Sequence, residues 1–242
     1  NPTASAQVAA DDPRLKTETV SFPAGSSELA GYLAWPAAAS GPLPAVMVIH
    51  ENRGLVPHIQ DVVRRMALEG FLAFGPDFLH ASGGTPDDED KGRDMIGALD
   101  QAEVISQAVA GVNWLKSHQS SNGNVGVVGY CWGGGIANQT AVAAAADLKA
   151  AAPFYGRQPA ATDVGKIKAK LQLHYAGLDE RINAGIDDYK MALNANGTSY
   201  ELFMYDGAQH AFNNDASAER YHPEAAKLSW ERTIEFFKAE LS

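Results

Sequence analysis

A chain of 242 residues with 45% hydrophobic side chains is long enough for one large α/β domain and can bury a sizeable core. Its formal net charge of −10, with no basic cluster denser than "VVRRM" at Val62–Met66, argues against a nucleic-acid partner, because neutralising phosphate needs a basic surface. No apolar run approaches the roughly 18–20 residues of a membrane span, and with one cysteine the chain can form no internal disulfide, so cysteine usage does not settle the compartment.

The N-terminal stretch "NPTASAQVAADDPRL" is rich in small residues and contains Ala4-Ser5-Ala6, an A-x-A pattern. It reads as a flexible arm over 1–16 or as the remnant of an export signal, so the location stays open between cytoplasmic and exported. A single domain is expected over 17–242. Thr17–Phe22 and Leu29–Ala34 flank "AGSS" and predict an antiparallel hairpin. "AVMVIH" (Ala45–His50) reads as a fully buried strand. "HIQDVVRRMALEG" follows, with Ile59, Val62, Val63 and Met66 on one helical face and Gly70 as its stop.

Further strands are expected at Phe71–Phe74, Asn124–Gly129, Ala150–Phe154, Leu171–Tyr175 and Ser199–Tyr205. Helices are expected near Arg93–Ser117, Gly134–Ala146, Ala184–Asn194 and Glu219–Leu241. The polar, Gly/Pro-punctuated stretch His80–Gly92 reads as a surface loop over a site. Strand-length apolar runs alternating with helix-length amphipathic ones predict a doubly wound, mostly parallel sheet carrying an N-terminal antiparallel hairpin.

The chain's single cysteine falls in "VGVVGYCWGGG" (Val125–Gly135), where a buried strand runs into Gly-x-Cys-x-Gly and then a helix. That is the pattern of a nucleophile elbow, whose tight turn leaves room only for small neighbours such as Gly129 and Gly133. A helix N-terminus aimed at a thiol favours its thiolate, so a lowered pKa is expected for Cys131. Other readings exist: a lone cysteine is often a small core hydrophobe. A phosphate loop fits less well, since the turn lacks the Walker lysine, and the position six after Cys131, where a phosphatase loop needs Arg, is Ala137.

Elbow enzymes place their acid and base after later strands, in the order nucleophile, acid, histidine. "LQLHYAGLDERI" supplies Asp179 just beyond one buried strand, and "YELFMYDGAQHAF" supplies His210 beyond the next. Glu180 and Asp206 are positional rivals to Asp179, and any one of these residues alone could be an ordinary turn residue. The oxyanion donors would be the N–H of Trp132 and one from the loop "HENRGL" (His50–Leu55). Glu51 and Arg53 in that loop read either as site residues or as a solvated ion pair.

Together "HENRGL", "GPDFL", "VGVVGYCWGGG", "HYAGLDERI" and "GAQHAF" resemble the dienelactone hydrolase family, from about Thr17 onward. The resemblance implies an α/β-hydrolase fold, a Cys131–Asp179–His210 triad and an oxyanion hole at Asn52 and Trp132. It also implies a role for Glu51 in holding and then activating the resting thiol. Two carboxylate-binding arginines of the classical members are missing: "PDFLHASGG" has no Arg before Arg93, and the position four after His210 is Asn214. Neutral esters are therefore expected to be preferred, with Arg53 as a partial substitute. Arg53, His80, Tyr155 and Phe212 are the candidate substrate-binding residues.

The expected activity is hydrolysis of a small-molecule ester or lactone through a thioester on Cys131, by a monomer or homodimer without a cofactor. A metal site is not expected, because the seven histidines show no H-E-x-x-H and there is no C-x-x-C. Two alternatives remain: hydrolysis of other activated electrophiles such as phosphotriesters or aryl esters, and a non-catalytic or redox-sensing protein on the same scaffold. The latter lacks a resolving cysteine.

Overall fold

Apolar runs without alternation need cover on both faces. The runs Ala45–Ile49, Val125–Val128 and Ala150–Phe154 accordingly occupy the centre of the sheet, almost entirely without solvent contact. The structure is a computed structural model and describes residues 6–242. Its strands are β1 (Leu15–Ala24), β2 (Ser27–Pro36), β3 (Leu43–Ile49), β4 (Leu72–Asp77), β5 (Ser121–Tyr130), β6 (Ala150–Phe154), β7 (Lys170–Ala176) and β8 (Tyr200–Tyr205). They form one eight-stranded sheet in the order β1-β2-β4-β3-β5-β6-β7-β8. β2 pairs antiparallel with β1 and β4, and every other pairing is parallel.

The helices are α1 (Pro57–Leu68), α2 (Glu89–Gly97), α3 (Gln101–Ser117), α4 (Trp132–Ala144), α5 (Glu180–Asn183), α6 (Ile186–Ala195) and α7 (Pro223–Leu241). Successive residues of β3 point to opposite faces, so Met47 and Ile49 join one core with Phe74, Val112, Ile136 and Leu173. Val46 and Val48 join the other, with Val63 and Met66 of α1 and Phe237 of α7. Burying each such side chain contributes about 1.5–3 kcal/mol.

The helix expected over Arg93–Ser117 is two helices. Asp100 accepts the N–H of Glu103 at 3.0 Å and starts α3, while Asp88 accepts from Asp90 and Lys91 and starts α2 inside the expected loop. Two aspartate caps outweigh the continuous apolar pattern. The rest of that loop folds back onto β4, through Thr85 bonded to Asp77 by both its N–H and its hydroxyl. The expected helix Ala184–Asn194 is α6, preceded by the short α5, and the C-terminal helix starts at Pro223, with His222 accepting the Ala225 N–H.

Of the N-terminal arm expected to be flexible over 1–16, residues 1–5, with Ala4 and Ser5 of the A-x-A pattern, lie outside the described residues. From Gln7 the chain is fastened down. The buried Asp61 carboxylate accepts the N–H groups of Gln7 and Val8, and Arg64 donates to the Val8 carbonyl at 2.8 Å. Arg65 bridges Asp61 to Asp215, which also takes Gln7 Nε2 at 2.8 Å and lies 3.1 Å from His58 Nδ1. This network ties the N-terminal segment to the loop that follows β8.

Candidate active site

Strand β5 hands directly to α4 through Cys131, whose backbone sits at φ 60°, ψ −118°. The close approach demands glycine on both sides: a Cβ at Gly129 would lie 1.9 Å from the Gly133 carbonyl, and one at Gly133 would lie 2.3 Å from the His50 carbonyl. Four non-glycine residues with positive φ occur among the described residues, and three of them (Cys131, Tyr155 at 37° and Ala211 at 69°) surround this point. Each such residue costs on the order of 1–3 kcal/mol and persists only where packing holds it.

Three loops converge on the thiol. His210, beyond β8, has Nε2 3.0 Å from Cys131 Sγ, and its Nδ1 lies 2.5 Å from Asp179 Oδ2. Asp179, beyond β7, is nearly buried, and its Oδ1 also accepts the Ile182 N–H, so the carboxylate is held by its own helix. Since a carboxylate only accepts, Nδ1 carries the hydrogen and Nε2 is free to accept from the thiol. The rivals Glu180 and Asp206 are exposed. Tyr155 is buried under the triad, with its ring 5.0 Å from that of His210.

The thiol is not the low-pKa group expected from the helix N-terminus alone. Burial, followed by the charge of Glu51, pushes Cys131 up to about 12, against the opposing pull of the Trp132 N–H and of Arg181 and Arg220. Desolvation of the anion wins over the dipole. Glu51 is itself pushed above the usual carboxylate range by burial, and Asn214 Nδ2 donates to its Oε1 at 3.1 Å. Glu51 thus acts on the sulfur through its field, while the hydrogen-bond partner of the thiol is His210.

Two cavities open on the same sulfur. One, of about 510 Å³, is lined by Glu51, Arg53, Asn214 and Arg220; the other, of about 800 Å³, by Trp132, Ile136, Tyr155, Arg157 and Gln158. Asn52, Cys131, Arg181 and His210 border both. Among the candidate substrate-binding residues, Arg53 and Tyr155 therefore reach the cavities. Phe212 does not: it is fully buried against Tyr155 and Tyr205. His80 does not either, because it lies on the surface turn His80–Ser82, paired with Glu28 at 3.3 Å. Among the described residues no group of three or more His, Cys, Asp or Glu side chains is placed to hold a metal ion.

Sequence reasoning missed the arginines of the mouth. Arg181 lies within the motif "HYAGLDERI", two residues past Asp179, where the turn of α5 directs it to both cavities. Arg220 sits in the polar stretch before α7 and has no positional signal at all. Neither forms an ion pair among the described residues, whereas Arg53 is paired with Asp90 at 3.3 Å.

An eight-stranded sheet with this crossover order, a strained strand-to-helix turn carrying Cys131, and Asp179 and His210 on the loops after the last two strands have the architecture of the α/β-hydrolase fold. Residues 29–241 match the Dienelactone hydrolase family, and the chain belongs to that family. An Escherichia coli (strain K12) protein named "Putative carboxymethylenebutenolidase" is 33% identical over 256 residues, covering 98% of this chain and 92% of that one. A Synechocystis protein of the same name is 31% identical, covering 94% and 98%. The Klebsiella pneumoniae "Putative Dienelactone Hydrolase" superposes with a TM-score of 0.83 at 28% identity, over 93% of this chain and 98% of its own. The dienelactone hydrolase-like promiscuous phosphotriesterase P91 from metagenomic libraries shares the fold, at a TM-score of 0.83 and 22% identity over 95% and 100%.

Proposed function

We propose that the protein hydrolyses carboxylic esters or lactones through a Cys131–His210–Asp179 triad and a covalent thioester. The observation that carries this reading is the hydrogen-bonded line Sγ–Nε2 at 3.0 Å and Nδ1–Oδ2 at 2.5 Å, at the floor of open cavities. His210 Nε2 takes the thiol proton as Sγ bonds to the carbonyl carbon, and the carbonyl π-pair moves to oxygen. The N–H groups of Asn52 and Trp132 receive that oxyanion. Collapse breaks the C–O bond, the leaving alkoxide takes the proton back from His210, and the thioester remains. A water then attacks the thioester, giving its proton to His210, and the acid leaves as the thiol is restored. Asp179 fixes the imidazole tautomer and stabilises its cation.

A neutral resting thiol fits this sequence, because the proton then leaves only when an electrophile is bound and the site has lost its water. The test is an ester and lactone panel, with a phosphotriester as a further arm, run on wild type and Cys131→Ala. Wild type should hydrolyse several members, rapid quenching should trap an acyl group on Cys131 by mass, and the variant should lose activity by at least about 10³-fold. Full turnover in Cys131→Ala would overturn the reading.

A further inference from the structure

His50 is the first residue beyond β3 and is wholly buried, yet it belongs to neither the triad nor the cavities. Its ring is fully used. Nδ1 lies 2.7 Å from the Glu51 carbonyl oxygen, and the Phe78 N–H, at the end of β4, points to Nε2 at 3.3 Å. An N–H can only be met by an acceptor, so Nε2 is unprotonated and Nδ1 carries the hydrogen that it donates to Glu51. Burial, which holds the imidazole below its ordinary pKa, keeps this neutral form.

The Glu51 carbonyl shares a planar trans peptide with the Asn52 N–H, so the two point in opposite directions. Pinning the carbonyl on one side aims the N–H to the other. Asn52 borders both cavities at Cys131, and the acyl-transfer reading takes that N–H as the donor on the loop side of the oxyanion hole. The other donor, the Trp132 N–H, is tied to the same histidine. The Trp132 ring stacks on the imidazole at 5.4 Å and 10°, and Gly133 packs directly on the His50 carbonyl.

We propose that His50 is a positioning residue that sets the two oxyanion donors, Asn52 N–H and Trp132 N–H, in register by clamping the Glu51–Asn52 peptide and backing the Trp132 ring. The proposal rests on the acyl-transfer reading above. It explains why a buried polar ring stands at this strand end, where an apolar residue would pack at less risk of an unpaired nitrogen.

The experiment compares His50→Leu, His50→Asn and His50→Gln by two reactions at the same sulfur. Ester acylation builds an oxyanion, whereas alkylation of Cys131 by iodoacetamide does not. Asparagine can place an amide N–H near the site of Nδ1, and glutamine places its amide nearer Nε2. His50→Leu and His50→Gln should lower kcat for an ester by roughly 100-fold with KM little changed, the cost of losing one aimed donor. His50→Asn should recover most of that loss, and in all three the alkylation rate should change far less than kcat, with at most a small upward move of its pH profile as the Trp132 N–H leaves the sulfur. Equal kcat losses in Asn and Gln, parallel losses of alkylation and turnover, or wild-type turnover in His50→Leu would each overturn the proposal. If His50→Leu does not fold, the Asn/Gln comparison decides alone. Failure of the acyl-transfer reading is separate: it would appear as ester turnover by Cys131→Ala with His50 intact.

Discussion

The Asn214 side-chain amide donates to Glu51 Oε1 at 3.1 Å, so the residue four beyond His210 holds the carboxylate that faces the thiol. The family resemblance calls for a carboxylate-binding arginine at this position. An arginine there would neutralise Glu51, whereas a neutral amide orients it and leaves its charge in place. That charge is the second largest cause, after burial, of the high pKa of Cys131.

Glu51→Gln keeps the oxygen that accepts from Asn214 and removes only the charge. The pH profile of Cys131 alkylation should then move down by roughly one unit, because the thiolate loses a like-charged neighbour. Ester turnover should fall in the same variant if Glu51 also helps the proton to leave. Alkylation and turnover profiles that coincide with wild type would remove any role for Glu51 at the sulfur.

Strain at the elbow predicts a trade between stability and activity. Cys131 holds φ at 60° with a Cβ attached, a conformation that glycine adopts freely. Cys131→Gly and Cys131→Ala should both be inactive, but the glycine variant should be the more stable by about 1 kcal/mol, relief of strain outweighing its added chain entropy. Urea unfolding of the two inactive variants isolates this difference. A glycine variant less stable than the alanine one would mean that the turn is unstrained.

Most of the sheet is readable from residue type, because the central strands β3, β5, β6 and β7 are short apolar runs and the antiparallel pair β1 and β2 flanks a turn at Gly25-Ser26. The grouping of Cys131, His210 and Asp179 is legible for a related reason: chain order plus position just after a strand leaves few candidates, and of Asp179, Glu180 and Asp206 only Asp179 is buried. What stayed hidden depends on distance in space. The helix break at Asp100 turns on a single side chain reaching the Glu103 N–H. Phe212 reads as a pocket residue because its neighbours His210 and Ala211 are, yet the turn at Ala211 sends it into the core; His80 reads as one only because its polar loop is expected over a site. The helix N-terminus, local in sequence, predicts a lowered thiol pKa, while the desolvation that outweighs it comes from the whole fold.

Acid should weaken the fold through histidines buried as neutral rings. His174 accepts from the Tyr205 hydroxyl at 2.8 Å and donates to Gln172 at 2.9 Å, and burial, with the nearby charge of Arg232, holds it at about 3. Below an unfolded pKa of about 6.5 the unfolded chain takes a proton that the native ring refuses. Stability is thus complete above about pH 7 and falls by up to about 1.4 kcal/mol per pH unit below about 6.5, until the native pKa is reached. His50 contributes with the same sign. His174→Gln should cost stability at neutral pH but flatten the decline between about pH 6.5 and about pH 5 in denaturant titrations. An unchanged slope would show that other groups carry the acid sensitivity.

The arginines at the mouth supply a partner for a substrate carboxylate that the expectation of a preference for neutral esters leaves out. Arg181 borders both cavities and Arg220 one, neither has an ion-pair partner among the described residues, and both lower the thiol's pKa through their charge. Beside Glu51, Glu89 and Glu219 on the wall of the smaller cavity, they are guanidinium groups that a substrate anion can meet at the mouth. An ester with a free carboxylate on its acyl part should therefore react with a higher kcat/KM than its neutral methyl-capped counterpart. Arg181→Gln should lower that ratio about 10-fold, near the worth of one charge-assisted contact at a partly solvated site. The ratio is the quantity to follow, because loss of Arg181 also raises the thiol pKa and slows both substrates together. Added salt should shrink the wild-type ratio towards that of the variant, since that contact is exposed to solvent. A wild-type enzyme that favours the neutral ester, by a margin indifferent to both salt and Arg181→Gln, would show that these guanidinium groups take no part in choosing the substrate.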